Sequence, residues 1–404
     1  MTAFFRRALR GCVSVALCVS AASCGGGDGT ISSNGGGSVS PANNVVDVAV
    51  TAGATNSVNV LYTTVTVCLP GTSTCQTIDN IQVDTGSYGL RILAPVLKLT
   101  FPVAKLSNGS ALVECTSFVD GYSWGPVVLA DVQVSGETAS SVPVQIIGDS
   151  RYPTVPTDCS NSAPTAEDTV ATFGAYGIIG IGPFAQDCGD VCASNVPEPI
   201  VYYSCTTESN CTGTTVPVAD QVPNPVTLFA TDNNGTIIKL PSVAAAGAAT
   251  VSGSLIFGID TESNNASGTE TVVPIATSGY LTTTFNGGTP LTESFIDSGS
   301  NGFFFSDSSL AACMQSGFAD FYCPASMTSL SGEMQLASGT STVDFEIGNA
   351  EQINASFYAF PGLGGTNPNS DSFDWGLPFF YGRRVATAIQ GYTTSAGTGP
   401  YIAF

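Results

Sequence analysis

Ile81-Gln82-Val83-Asp84-Thr85-Gly86-Ser87-Tyr88-Gly89-Leu90 has a near copy later in the chain, Ser294-Phe295-Ile296-Asp297-Ser298-Gly299-Ser300-Asn301-Gly302-Phe303, at a spacing of 213 residues. Each copy is an apolar strand, then Asp-(Thr/Ser)-Gly-Ser-x-Gly, then a second apolar run. A repeat inside one chain usually reports a repeated structural unit. This one carries a carboxylate at the same place in each half. Two such lobes facing each other across a pseudo-twofold axis would bring Asp84 and Asp297 together, as a carboxyl pair sharing one proton requires.

The rest of the chain suits such a β-rich frame. Only 10% of its 404 residues are charged, and it holds 45 Gly and 23 Pro, a turn-rich profile unlike that of a helical bundle. It has no His, which removes Ser-His-Asp and Cys-His catalysis and His-ligated zinc. The net charge of −21 argues against nucleic acid as a partner and reads first as solubility. No metal or cofactor is expected. Asp187 and Asp190 match no calcium-loop spacing.

The N-terminus reads as an export signal over 1–23, with Arg6, Arg7 and Arg10 ahead of a short apolar core. Ala21-Ala22-Ser23-Cys24 is similar to a bacterial lipoprotein cleavage box, so Cys24 is expected to carry lipid; the alternative is ordinary cleavage after a small residue. Residues 24–44, rich in Gly and Ser, are then a tether to the membrane, and Gly25, with no acidic retention signal after the Cys, points to the outer membrane. Ten of the 13 Cys remain beyond Cys24, an even number suited to disulfides in an oxidising compartment. Short loops favour Cys68–Cys75, Cys188–Cys192, Cys205–Cys211 and Cys313–Cys323, which leaves Cys115–Cys159.

Two lobes are expected, 45–220 and 221–404. Strands are expected at 58–62, 63–67, 126–134, 142–147, 177–182, 253–258, 271–275, 280–285, 343–347, 384–389 and 401–404, with a hairpin pinned by Cys68 and Cys75 leading into Asp84. Helices are few and short, at 93–99, 226–230 and 307–315. The fold class is all-β.

Taken together, these segments resemble the pepsin-like aspartic proteases over roughly residues 55–404. In that family a later apolar-apolar-Gly strand threads each Asp loop. Ile178-Ile179-Gly180 fits the first place, and Asp374-Trp375-Gly376 fits the second less well. Gly253 to Asp260 looks like the second-lobe entry, and Gly125 to Val134 like the strand leaving the flap hairpin. The departures are Phe118 where the flap usually has Tyr, Arg91 where an aromatic usually follows Leu90, and a 25–44 stretch with no Lys or Arg, unlike a basic pro-segment.

The resemblance implies a bilobal double barrel and an endopeptidase acting as a monomer on peptide or protein. Asp84 and Asp297 would activate a water between them, one taking its proton and the other donating to the scissile carbonyl. Thr85, Gly86, Ser87, Ser298, Gly299 and Ser300 would support the pair. Phe118, Tyr122 and Trp124 would close over substrate as a flap and favour apolar side chains. The shared proton implies a pH optimum below neutral. The alternative is a lipoprotein of the same fold that binds a peptide or glycan in the cleft without cutting it. A two-carboxylate glycosidase is a weaker third reading, because the two Trp offer few sugar platforms.

Overall fold

The computed structural model describes residues 42–118 and 120–404. The export signal, Cys24 and residues 25–41 of the expected tether lie outside the described residues. Asn44 is already buried, with its amide bonded to the carbonyl of Phe257 at 3.0 Å.

The first half is built from β1 (Val45–Val50), β2 (Leu61–Cys68), β3 (Cys75–Asp84), β4 (Tyr88–Leu93), β5 (Ala111–Ser117), β6 (Tyr122–Val134), β7 (Glu137–Ile147) and β8 (Gly177–Ile181). The hydrogen-bonded order β6-β7-β4-β8-β3-β2 closes on itself through β6–β2 pairing, so these strands form a barrel. Closure removes the free edges that exposed strands present. The expected hairpin is β2–β3, with Cys68 opposite Cys75 at its tip. β3 alternates between exposed and buried near that tip, then becomes continuously buried over Ile81–Asp84 as it enters the core. β8 is buried at every residue, as its unbroken apolar run requires.

The second half contributes a seven-stranded sheet that includes 281–285, 290–296, 328–335 and 340–347. β1 does not stay with the first barrel alone. It pairs with β2 at two positions and along its whole length with Val251–Phe257. Strands 235–239, 384–388, 401–403 and 272–274 continue that sheet, which joins the halves. All five expected disulfides are present.

Some local expectations are corrected. Residues 307–315 form turns rather than a helix. Asp307 accepts from the amide and hydroxyl of Ser309 through Oδ1, Ala312 bridges to Tyr322, and Cys313 is bonded to Cys323, so local turn bonds, a bridge and a disulfide hold the segment outside a helix. Residues 58–60 are turn and coil, with Asn59 in the left-handed region at φ 57°. The other two expected helices are single 3-10 turns at Ala94–Val96 and Pro225–Leu228. Three short α-helices were not expected, among them Val170–Phe173, which Thr169 and Thr172 close with a capping box and Gly174 ends at φ 84°.

Candidate functional site: two threaded loops and a carboxyl pair

Each Asp loop is a strand, a tight turn and a returning strand, with a third strand passed between the two arms. In the first half β8 runs parallel to β3, Val83 opposite Ile179 and Asp84 opposite Gly180, and antiparallel to β4. In the second half Asp374–Trp375 runs parallel to 290–296 and antiparallel to Phe303–Phe304. Glycine is needed at the crossing. A Cβ on Gly180 would lie 2.5 Å from the amide nitrogen of Tyr88.

The turns point both carboxylates to one place. The Gly86 amide donates to Asp84 Oδ1 at 2.7 Å and the Ser87 hydroxyl to Oδ2 at 2.6 Å. The same bonds recur on Asp297, from the Gly299 amide at 2.6 Å and the Ser300 hydroxyl at 3.1 Å. Below them the lobes clasp reciprocally. The Thr85 amide donates to Ser298 Oγ at 3.1 Å, and the Ser298 amide to Thr85 Oγ1 at 2.9 Å. Each hydroxyl also donates to a strand carbonyl, Thr85 to Ile296 and Ser298 to Val83. These contacts satisfy the turn amides and fix the two loops against each other.

The carboxyl groups themselves are close. The position a Cβ on Gly299 would take lies 2.6 Å from Asp84 Oδ1 and 3.0 Å from Asp297 Oδ1. Both aspartates are almost fully buried, at 2% and 1% exposure. Burial pushes the Asp297 carboxyl well above its usual range, and the neighbouring carboxyls of Asp84 and Asp374, with a hydrogen bond to Asp84, push the same way. Two carboxyls this close disfavour the ionisation of both at once.

The three expected flap aromatics separate. β5 and β6 form the hairpin, and Phe118 follows β5. Phe118 packs edge-on against Phe173 and lines a cavity of about 310 Å³ that also touches Ser87, Tyr88 and Phe184. Trp124 points elsewhere. Its ring meets Tyr203 at 5.0 Å and its indole N–H donates to the carbonyl of Tyr152. Tyr122 packs with the same group as Trp124.

Arg91 explains one departure from the family pattern. Its buried guanidinium donates to the Tyr88 carbonyl, to Glu114 Oε1 at 2.5 Å, to Asp187 Oδ2 at 3.2 Å and to Thr116 Oγ1 at 2.9 Å. It ties the Asp84 loop to the hairpin through ion pairs where an aromatic would pack. Burial and the Glu114 charge raise the Asp187 carboxyl well above its usual range, with Arg91 opposing them.

Four further residues at the site were given no role at it by the sequence. Tyr88 stands beside both carboxyls, and burial followed by their charges raises its phenol. The Gln82 amide donates across the lobes to the Gly299 carbonyl at 2.9 Å. Asn59 bonds to Phe360 and to the carbonyl of Asn301. Asp374 lies in the threading strand with no exposure. Gln82 and Asp374 had a visible signal, a polar residue inside an apolar run beside the motif. Asn59 had none, because its partners lie more than 240 residues away.

No curated protein matches this chain. Among solved structures, the crystal structure of aspartic proteinase from Irpex lacteus is similar at a TM-score of 0.52 and 15% sequence identity, over 89% of this chain and 96% of that one. At that identity the likeness shows the fold, and the fold is that of a pepsin-like aspartic proteinase. Residues 40–404 match the family described as "Protein of unknown function (DUF3443)", and the chain belongs to that family.

Proposed function

We propose that this protein is an aspartic-type endopeptidase that activates a water molecule between Asp84 and Asp297. The observation that carries the reading is the closeness of two buried carboxyls, each with its own amide and hydroxyl donors, over an intact Thr85–Ser298 clasp. The ionised member takes a proton from the water. The protonated member donates to the carbonyl oxygen of the scissile bond, and no covalent intermediate forms. Ser87 and Ser300 hold the outer oxygens so that the inner ones face the water. A fold that had become only a binder would have no need to keep both donor sets, so the complete pair favours cutting over binding.

Peptide or protein is the substrate, bound by a monomer. Phe118, Tyr88 and Phe184 offer apolar walls beside Ser87, which suits apolar side chains next to the scissile bond. Below-neutral pH suits a pair that must keep one proton. In this reading the export signal and lipidated Cys24 place the enzyme on the outer membrane. Cys24→Ala should then release it to the soluble fraction, and continued membrane association would refute the anchor.

The test is a diverse peptide library incubated from acid to neutral pH with the mature protein, Asp84→Asn and Asp297→Asn. Asn is nearly isosteric but does not hold the shared proton, so each variant should fold and lose cleavage. Identical products from wild type and variants, or no products at any pH, would sink the endopeptidase reading.

A further inference from the structure

The two threaded loops are symmetric in backbone and asymmetric in chemistry. In the first half the threading strand places Ile178 opposite Gln82 and Arg91. In the second half Asp374 takes the matching place, opposite Phe295 and Phe304. Its strand neighbours Phe373 and Trp375 stack on one another at 4.1 Å in the aromatic core. Alternation along the strand turns the Asp374 side chain to the other face. It has 0% exposure, and neither carboxyl oxygen meets a hydrogen bond of full geometry. The polar neighbour acting on it is the Ser300 hydroxyl, which also contacts Asp297 Oδ2 at 3.1 Å. Among the described residues, the charged groups that face it are Asp84 and Asp297, both acidic.

A serine hydroxyl has one proton. Ser300 lies between two carboxyls and donates that proton to one of them. If it donates to Asp297, it can only accept from Asp374, and Asp374 must then be the protonated partner. An ionised Asp374 would compete for the same proton and would sit unpaired in an apolar strand, the most costly state for a buried carboxylate. We propose that Asp374 is a third, protonated carboxyl of this site, a positioning residue that holds the Ser300 hydroxyl on Asp297 and closes the upper end of the working pH range when it ionises. Burial drives its ionisation well above the usual carboxylate range against the opposing pull of the Ser300 hydroxyl, and the Asp84 charge adds to the rise.

The catalytic part of this proposal rests on the endopeptidase reading, and the protonation part does not. Asp374→Asn keeps the shape and an N–H donor but removes the titration. Asp374→Leu removes both. By potentiometric titration of folded protein, the proton that Asp374→Asn lacks should be one that wild type releases well above the range of an ordinary Asp, about pH 4. In peptide cleavage, Asp374→Asn should keep the acid-side kcat within about twofold and move the descending limb up by roughly one pH unit. Asp374→Leu should lower kcat about tenfold with KM held, the loss expected for one neutral hydrogen bond. A missing proton in the ordinary range near pH 4 overturns the proposal, as does an unchanged descending limb in Asp374→Asn. If wild type cuts no peptide while the missing proton titrates well above the ordinary carboxylate range, the endopeptidase reading fails and the protonated Asp374 stands. Should Asp374→Leu not fold, the Asn variant decides alone.

Discussion

Gly299→Ala is the most direct probe of how tightly the two carboxyls are held. The three nearest atoms to an added Cβ there all belong to the pair: Asp84 Oδ1 at 2.6 Å, Asp84 Cγ at 2.7 Å and Asp297 Oδ1 at 3.0 Å. Gly86 mirrors it, with a Cβ that would lie 2.5 Å from Asp297 Cγ. Each lobe's glycine thus makes room for the other lobe's aspartate. An ordinary contact needs about 3.4 Å, so the Asp84 oxygen would have to move by roughly 0.8 Å. It has little freedom to do so, because Gly86 and Ser87 hold that carboxyl at 2.7 and 2.6 Å. Breaking one such charge-assisted bond costs about 1.5–3 kcal/mol. A displacement of this size at reacting groups lowers rates by about 10²-fold. The expected result is a folded protein with kcat down about 10²-fold and a modest loss of thermal stability. The assay pairs peptide-cleavage kinetics with a melting curve. A variant that melts like wild type and cuts at the wild-type rate would refute the close packing of the pair.

Two further outcomes follow from burial and connectivity. Asp297, Asp374 and Asp187 all have carboxyls raised by burial, so above about pH 4 the native chain binds more protons than the unfolded one and stability falls as pH rises. Asp260 works the other way. Burial raises it, but the combined Ser267 and Ser395 donors outweigh that and hold it down to about 2, so its contribution is lost as pH falls toward and through that value. The melting temperature should therefore be higher near pH 4.5 than near pH 7.5, and Asp374→Asn should flatten the slope; a melting temperature that climbs steadily from pH 4 to 8 would contradict this. Among the disulfides, Cys115–Cys159 spans 44 residues and Cys188–Cys192 only four. Paired Ser substitutions should cost about 4 and about 2 kcal/mol respectively, read by denaturant unfolding, and the reverse ranking would count against loop constraint as their main effect.

Much of the frame was legible in the order of residues because its signals are local. The two Asp-(Thr/Ser)-Gly turns, the buried run Gly177–Ile181 and the cysteine pairs are each read within a short window, and side-chain periodicity or loop length interprets them. The support around each carboxyl was legible for the same reason, since Gly86, Ser87, Gly299 and Ser300 lie within three residues of the aspartate they bind. Local reading failed where a distant partner set the outcome. A helical pattern at 307–315 lost to the Cys313–Cys323 bond and the Tyr322 bridge. Trp124 sits on the expected hairpin, yet strand pairing with β5 and packing against Tyr203 turn it away from the cavity that Phe118 lines. Arg91 and Asp374 read as misfits in an apolar pattern. Only tertiary structure brings Glu114 and Asp187 to the first, and Ser300 with both aspartates to the second. A charge in a buried strand is decided by neighbours from other parts of the chain, and its own segment carries no record of them.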